Sequence, residues 1–349
     1  MQAEWISFLL KAGAQLDGDG IPDFYPAARG NETYSPGCSF MTAPSDYSIV
    51  KISGKDSGEF LHSQLSCEVR RLEPGSIGTG SWCNPQGRML MNFYLLRKED
   101  HFFLILRSGL KDKVMKRLTM YILRSSVLIE DMDPDLALVG IASGTGSELM
   151  EPIIGAPLPA MHSLIIHDGL LVSRVRDAGH RYLILGTVNQ LKSFWTRCTE
   201  KLPPVTKEYW KLQDILNGLG WVDTITTGQF LPVEFNLDYL GGVSYSKGCY
   251  PGQEIVARIR YRGRVKKRLY IAYLKSGTLP QAGENVTVDG DPRKVGCIIE
   301  AASIPGNGYA VLAVVDCELV MNKPVCTMND RRLLEFIPLP YPAGPDNYR

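Results

Sequence analysis

One cysteine of the chain lies in a setting that could support chemistry. Cys249 follows Lys247 and Gly248 and precedes a Tyr-Pro-Gly turn, after which Gln253 and Glu254 begin a predicted helix. A neighbouring cation favours the thiolate, which is the form that attacks electrophiles and binds metals. Glycine lets a backbone approach a ligand closely. The segment is therefore either a reactive site or a tight turn around a buried, inert cysteine.

The other cysteines and the histidines lack the spacing of a metal or redox site. No two of the eight cysteines form a Cys-x-x-Cys pair, and the five histidines form neither His-x-His nor His-x-x-x-His. Zinc fingers and redox dithiols are therefore unsupported, and we predict no metal site. The chain also lacks a Gly-x-Ser-x-Gly motif, a P-loop and a Rossmann fingerprint.

Length and composition predict a globular protein of two or three domains. The chain has 349 residues, of which 44% are hydrophobic and 21% charged. Its net charge of +1 argues against a globally basic nucleic-acid-binding protein, so a local patch must hold any anionic partner. No apolar run approaches the roughly 18 residues of a membrane span, and the N-terminus lacks the basic region of a signal peptide. We expect a cytoplasmic protein with reduced cysteines and no membrane contact.

Hydrophobic periodicity predicts the elements that must position Cys249. The first half should contain a strand at 47–53, a helix beginning near 56, a hairpin at 92–106, a helix at 109–123 and a strand at 126–130. The next unit should contain strands at 136–141, 169–176 and 181–186, and a capping box at Thr187 should begin a helix. Six short strands should follow residue 267, at 268–274, 285–288, 295–302, 308–315, 324–328 and 333–337. The pattern is α+β followed by all-β.

A basic run lies between the predicted helix and the first of these strands. It contains no acid and consists of Arg258, Arg260, Arg262, Arg264, Lys266, Lys267 and Arg268. One interpretation is a solvated linker between domains. The other is a surface that binds an anion such as polyglutamate, RNA or an acidic protein. The chain has no recognisable nucleic-acid-binding motif, so sequence-specific RNA recognition is not predicted.

The residues around Cys249 resemble the signature of the YgfZ family of folate-binding proteins, which are relatives of the glycine-cleavage T-protein. The family core reads Lys-Gly-Cys, an aromatic residue, Thr or Pro, then Gly-Gln-Glu, and this chain matches it from residue 247 to residue 254. The segments 228–232, 236–242 and 336–341 resemble the family's approach to the motif and its C-terminal ending. The likeness covers roughly residues 40–342.

The resemblance implies a fold and a domain arrangement. The expected fold class is α+β, a T-protein-like multi-domain fold with a central folate channel, a ferredoxin-like insert and a C-terminal all-β barrel. The expected boundaries are an N-terminal helix and linker at 1–40, a discontinuous central folate-binding domain at 41–132 plus 204–264, the insert at 133–203 and the barrel at 265–342.

The resemblance also implies tetrahydrofolate as the cofactor and Cys249, with Lys247 beside it, as the reactive group. Folate needs polar partners, an aromatic wall and cations for its carboxylates. The motif region offers cations, aromatic rings and polar groups, which we predict to be Lys247, Arg258, Tyr245, Tyr250, Asn236, Gln253 and Glu254. Alternatively, Glu254 and Arg258 are an i,i+4 pair that serves only the helix.

Three functions remain in competition at this stage. The preferred one is a folate-binding accessory protein that supports the assembly or repair of iron–sulfur enzymes and thereby tRNA modification, with those enzymes or assembly proteins as partners. The second is a folate-dependent aminomethyltransferase like the T-protein, although the T-protein's glutamate and arginine are missing from the comparable stretches at 179–183 and 214–218. The third is an interaction module that uses only the basic run. Whether a reaction is catalysed, and the oligomeric state, stay open.

Overall fold

The computed structural model describes residues 2–25, 38–144, 146–175, 180–275, 277–304 and 308–342. Within them the chain forms the strands β1 (Gln15–Leu16), β2 (Pro22–Asp23), β3 (Phe40–Thr42), β4 (Tyr47–Ser53), β5 (Ser76–Cys83), β6 (Met89–Lys98), β7 (His101–Arg107), β8 (Leu128–Asp131), β9 (Leu136–Ser143), β10 (Leu164–His167), β11 (Leu170–Arg174), β12 (His180–Thr187), β13 (Lys267–Leu274), β14 (Asn285–Val288), β15 (Lys294–Ser303), β16 (Tyr309–Asp316), β17 (Val325–Thr327) and β18 (Glu335–Ile337). The helices are α1 (Ala3–Lys11), α2 (Ser57–Gln64), α3 (Lys111–Thr119), α4 (Ser147–Ile154), α5 (Val188–Cys198), α6 (Lys207–Leu216), α7 (Gln253–Arg262) and α8 (Cys317–Asn322).

The first large sheet supports the Cys249 segment, which packs on the turn between two of its strands, β5 and β6. Its strands lie in the order β5-β6-β7-β4-β8, and every neighbouring pair is antiparallel. Apolar side chains such as Ile49, Phe93 and Leu104 are fully buried in it, because β-branched, aromatic and leucine side chains pack well on a half-buried pleated surface. The predicted strand at 47–53 is confirmed with the same bounds. α3 is shorter than the predicted helix at 109–123 because the chain after Thr119 tightens into turns with bonds to the third preceding carbonyl.

The second large sheet packs against the N-terminal helix. Its order is β10-β11-β12-β9-β3, so Phe40–Thr42 pair with β9 although the predicted central domain begins at 41. The predicted capping box is confirmed, since the side chains and backbone N–H groups of Thr187 and Gln190 bond reciprocally at the start of α5. Trp5 of α1 is 1% exposed and meets Trp195 of α5 edge to face at 5.9 Å. Residues 176–179, which include part of a predicted strand, lie outside the described residues.

The third sheet is a C-terminal half-barrel, with strand order β17-β14-β15-β16-β13-β18. All six strands predicted after residue 267 are present, within one or two residues of their expected ends. The short helix α8 was not predicted, because six residues are too few to show a helical period; Asp316 caps it by accepting a hydrogen bond from the backbone N–H of Glu318 at 3.0 Å. α6 packs on β15 and β16 and so joins this sheet to the rest of the molecule. None of the described helices is both long and apolar enough to cross a lipid bilayer.

Candidate functional site

The Cys249 segment is an irregular loop that leads into α7. Near its start, the backbone N–H of Ser244 donates to the carbonyl of Ser66 at 2.8 Å. The hydroxyl of Ser66 in turn donates to the carbonyl of Gly242 at 2.6 Å. Cys249 itself is an exposed free thiol. The fold therefore places this thiol on the outside of a loop whose base is bonded to the segment that follows α2.

Lys247 holds the loop to the end of α2. Its ammonium donates to the backbone carbonyls of His62, of Leu65 at 2.6 Å and of Cys67 at 3.0 Å, and it lies 5.1 Å from the ring centre of Tyr250. The residue is 8% exposed, and burial lowers the pKa of Lys247 to about 8. An ammonium has three donors, and all three are used here. The prediction that Lys247 offers its charge to the thiol or to a folate carboxylate does not fit this arrangement; the lysine acts as an anchor.

The two glycines of the motif differ in what they require. Gly252 has φ +81°, and a Cβ atom there would lie 2.4 Å from the Cα of Gly87 and 2.6 Å from the carbonyl oxygen of Asn84. This glycine lets the loop pack on the β5–β6 turn. Gly248 has no positive φ, and a Cβ atom there would meet nothing within 4 Å. The fold therefore needs glycine at Gly252 and leaves the space beside Gly248 open.

Tyr250 forms the inner wall of the loop. It is 6% exposed, and burial raises the pKa of its hydroxyl. Burial also raises the pKa of Cys67 to about 11 and that of Cys83 to about 12, so these two thiols stay protonated at neutral pH. Among the eight cysteines Cys249 is the exposed one. The predicted reactive position is therefore accessible to solvent. This finding excludes the alternative of a buried, inert cysteine.

Gln253 and Tyr245 support the loop from the side of α7. The side-chain amide of Gln253 donates to the carbonyl of Lys247 at 3.3 Å. The ring of Tyr245 lies 4.3 Å from the guanidinium of Arg260. Burial raises the pKa of Tyr245 to about 12, so the phenol is neutral under ordinary conditions. Both side chains therefore contact residues of the loop or of α7, the element that follows it.

Glu254 and Arg258 form an exposed ion pair on α7. The carboxylate and the guanidinium are 3.1 Å apart at i,i+4 spacing, and the side chains are 83% and 64% exposed. This geometry is the one expected when the two residues serve the helix. The pair fits the helix-pair alternative, and the predicted folate contact of the two residues stays a prediction.

Asn236 is buried in a polar junction between the first and third sheets. Its side-chain amide donates to the carbonyl of Leu269 at 2.9 Å and to the hydroxyl of Tyr341 at 3.3 Å. Its oxygen accepts from Arg268, whose guanidinium also makes two bonds of 3.0 Å to Asp238. The predicted role of Asn236 as a pterin ligand does not fit, because these internal groups already occupy both ends of its amide.

The basic run is divided by the structure. Arg258 and Arg260 lie on α7, and Arg264 pairs with Glu318 at 2.8 Å in the connection to β13. Lys266 is exposed, Lys267 half-buried and Arg268 buried. Nothing is described of the Arg262 side chain. Among the described side chains of the run, those before β13 are therefore exposed, and exposure decreases from Lys267 to Arg268.

A buried polar cluster, which the sequence did not predict, lies where the sheets meet. Asp214 of α6 is fully buried; it accepts hydrogen bonds from Arg181 at 2.7 Å, from the Tyr47 hydroxyl at 2.9 Å and from the Trp221 indole at 3.1 Å. Burial and the Asp214 charge raise the pKa of Tyr47 well above its usual value. Arg181 and Asp214 come from the two stretches that depart from the T-protein pattern. That departure was the available signal, because each of the two stretches carries a charged residue outside the family's pattern.

A second buried ion pair lies next to this cluster. Arg107 of β7 donates to Asp46 and to Glu300 of β15, and its guanidinium lies 4.7 Å from the ring centre of Tyr47. Glu300 also accepts from the backbone N–H of Trp221 at 3.3 Å. Burial raises the pKa of Glu300 to about 7, although Arg107 opposes the shift. These contacts tie the third sheet to the first.

Two cavities adjoin the clusters. The smaller has a volume of about 30 Å³, enough for about one water molecule, and is lined by Thr79, Asn92, Tyr94, Leu219, Gly220, Trp221, Leu237 and Leu240. The larger is a cleft of about 330 Å³, within the range of small-molecule sites. Its walls include three cations, four acids and apolar side chains: Arg107, Lys207, Lys211, Asp46, Glu208, Asp223, Glu300, Leu279 and Ile299. The predicted folate residues do not line either cavity. No group of three or more His, Cys, Asp or Glu side chains in the described part of the chain has the arrangement of a metal site.

Comparison with known proteins agrees with this architecture. The family model described as GCVT N-terminal domain matches residues 42–162. The tRNA-modifying protein YgfZ of Klebsiella pneumoniae (strain 342) is 28% identical over 298 residues, which cover 85% of this chain and 91% of that protein. The crystal structure of glycine cleavage system aminomethyltransferase T from Bartonella henselae superposes with a TM-score of 0.80 at 13% identity, covering 97% of this chain and 96% of that one. The last similarity shows the fold, and it confirms the predicted α+β, T-protein-like fold class.

Proposed function

Because the resemblance of this chain to the YgfZ family is confirmed, we propose that it is a folate-binding accessory protein which supports the assembly or repair of iron–sulfur enzymes and, through them, tRNA modification. The observation that carries the proposal is the exposed thiol of Cys249 on a loop that a buried lysine anchors. The anchored loop fixes the position of the thiol and leaves it accessible, and a thiol that contacts a partner protein needs both. The role proposed for Lys247 is therefore to fix the position of the Cys249 thiol.

We propose the 330 Å³ cleft as the place where tetrahydrofolate binds. Its volume supports this assignment, and so does Lys211, which reaches the cleft from α6 and pairs with the partly exposed Glu208 at 2.8 Å. Such a pair contributes little to stability, so a folate carboxylate can replace Glu208 at small cost. The apolar side chains of the cleft, Leu279 and Ile299, would cover the aromatic part of the ligand.

Aminomethyl transfer is not favoured. In the two stretches where the T-protein has its characteristic glutamate and arginine, this chain has Arg181 and Asp214, which neutralise each other at 2.7 Å. Both are nearly inaccessible to solvent. A buried pair that is already satisfied offers no free charge to a substrate.

Equilibrium dialysis with tetrahydrofolate tests the cofactor assignment. We expect the full chain to bind, and we expect Lys211→Gln to weaken binding by roughly 10- to 150-fold, because hydrogen bonds to charged groups contribute about 1.5–3 kcal/mol. Arg258→Gln is the matched control, since it removes one exposed cation from the predicted motif and should leave binding unchanged. Absence of binding at millimolar folate would refute folate binding, and a loss confined to Arg258→Gln would move the site to α7.

A further inference from the structure

The exposed side of α7 and the connection that follows it form a basic and aromatic surface. We call the set Arg258, Arg260, Tyr261, Arg264 and Lys266 the α7 surface. The side chains of Arg258 and Arg264 are 64% and 66% exposed, Tyr261 is 67% exposed, and Arg260 and Lys266 are also exposed. Neither the buried cluster nor the cleft uses any of these residues.

The aromatic part of the α7 surface is arranged around Tyr245. Its ring meets Tyr261 edge to face at 6.2 Å, and the guanidinium of Arg260 lies 4.3 Å from its centre. Tyr245 thereby holds a tyrosine and an arginine beside each other at the surface. Large exposed aromatic side chains between cations are the usual platform on which unpaired bases stack.

The acids near the α7 surface do not cancel its charge. Glu254 pairs with Arg258 and Glu318 pairs with Arg264, and both acids are more than two-thirds exposed. Exposed ion pairs contribute little, so phosphate groups can displace these carboxylates. Two other nearby acids are already engaged: Asp238 is 1% exposed in its side chain and is bonded to Arg268, and the half-buried Asp316 lies opposite Lys267 in the third sheet and caps α8. Four described cations therefore face two replaceable acids.

We propose that the α7 surface binds single-stranded RNA, holding the phosphates with Arg258, Arg264 and Lys266 and stacking a base on Tyr261. The chain lacks a recognition motif for base edges, and stacking with phosphate contacts needs none. An acidic protein would account for the cations but not for the exposed tyrosine among them. The inference does not depend on folate or on the thiol, so its failure would leave the proposed function intact.

Fluorescence anisotropy with the purified full chain and a labelled oligouridylate of about 12 nucleotides tests the charge component. We expect the triple variant Arg258→Gln, Arg264→Gln, Lys266→Gln to bind more weakly. The slope of log affinity against log salt should become shallower by about 0.7 for each phosphate that the variant no longer neutralises. The control is Lys113→Gln, Lys116→Gln, Arg124→Gln, which removes three exposed charges elsewhere and should change neither quantity. No binding by the wild-type chain, or an equal weakening in both triple variants, would overturn the proposal.

Tyr261 tests the stacking component separately. Tyr261→Ala should weaken oligouridylate binding roughly 5- to 150-fold, and Tyr261→Phe should keep the wild-type affinity because the ring remains. A polyglutamate peptide is the second probe. If Tyr261→Ala leaves RNA affinity unchanged while the triple variant no longer binds the peptide, the surface binds an acidic protein and the RNA proposal is wrong.

Discussion

Replacing Gly252 by alanine should destabilise the protein because two independent penalties coincide there. The backbone has φ +81°, a conformation that costs an L-residue about 1–2 kcal/mol. The new Cβ would also stand 2.4 Å from the Cα of Gly87 and 2.6 Å from the Asn84 oxygen, both backbone atoms that cannot rotate away. Overpacking of this kind costs about 1–3 kcal/mol. We therefore expect Gly252→Ala to lower the free energy of unfolding by about 2–5 kcal/mol.

Urea denaturation followed by tryptophan fluorescence measures this destabilisation, and Gly248→Ala is the matched control. An alanine at Gly248 meets nothing within 4 Å, so the stability of that variant should equal that of the wild type within about 0.5 kcal/mol. Should Gly248→Ala fold normally yet fail in cells, its glycine is needed by whatever approaches Cys249. An unchanged midpoint for Gly252→Ala would refute the packing argument.

Two other substitutions test the buried charges. Lys247→Met leaves three buried carbonyl groups without their ammonium donor, so we expect the free energy of unfolding to fall by about 3 kcal/mol or more. We also expect faster alkylation of Cys249, because the loop loses its anchor. Wild-type stability and a wild-type alkylation rate would show that the anchor is dispensable. Glu300 has a folded pKa of about 7 against 4.5 for the free side chain, so the folded state binds more protons between these values and its stability falls as pH rises. The stability of the wild type relative to Glu300→Gln should therefore decline from pH 4.5 to pH 7, by at most about 1.4 kcal/mol per unit, and a flat difference in urea denaturation would contradict this.

The strands and helices could be predicted well because each carries its own local signal. The six C-terminal strands are separated by Gly, Pro, Asn and Asp, and Thr187 with Gln190 marks the start of α5. α8 lacks such a signal because it has fewer than two turns. The domain boundaries stay a prediction, and the pairing of β3 with β9 depends on residues about 100 positions apart that no local pattern records.

The candidate site could be predicted only in part, because residue type says what a side chain can do but not where it points. The motif predicted that Cys249 is a reactive residue, and in the structure its side chain is exposed to solvent. The same reasoning assigned Lys247 and Asn236 to a ligand, whereas folding gives both to buried partners of the chain itself. The Arg181–Asp214 pair lay in the two stretches already recognised as unusual, but only the fold brings them together. Whether the other predicted residues contact folate stays a prediction.

We propose that the exposed thiol of Cys249 is the functional group of this protein. The direct measurement is the activity of iron–sulfur enzymes in a strain that lacks the gene and carries Cys249→Ala, with Cys317→Ala, a half-buried thiol outside the motif, as the control. We expect Cys249→Ala to fold with the wild-type unfolding midpoint and to leave those enzymes inactive, while the wild type and Cys317→Ala restore them. Full restoration of enzyme activity by Cys249→Ala would contradict this proposal and would show that the function does not need the thiol.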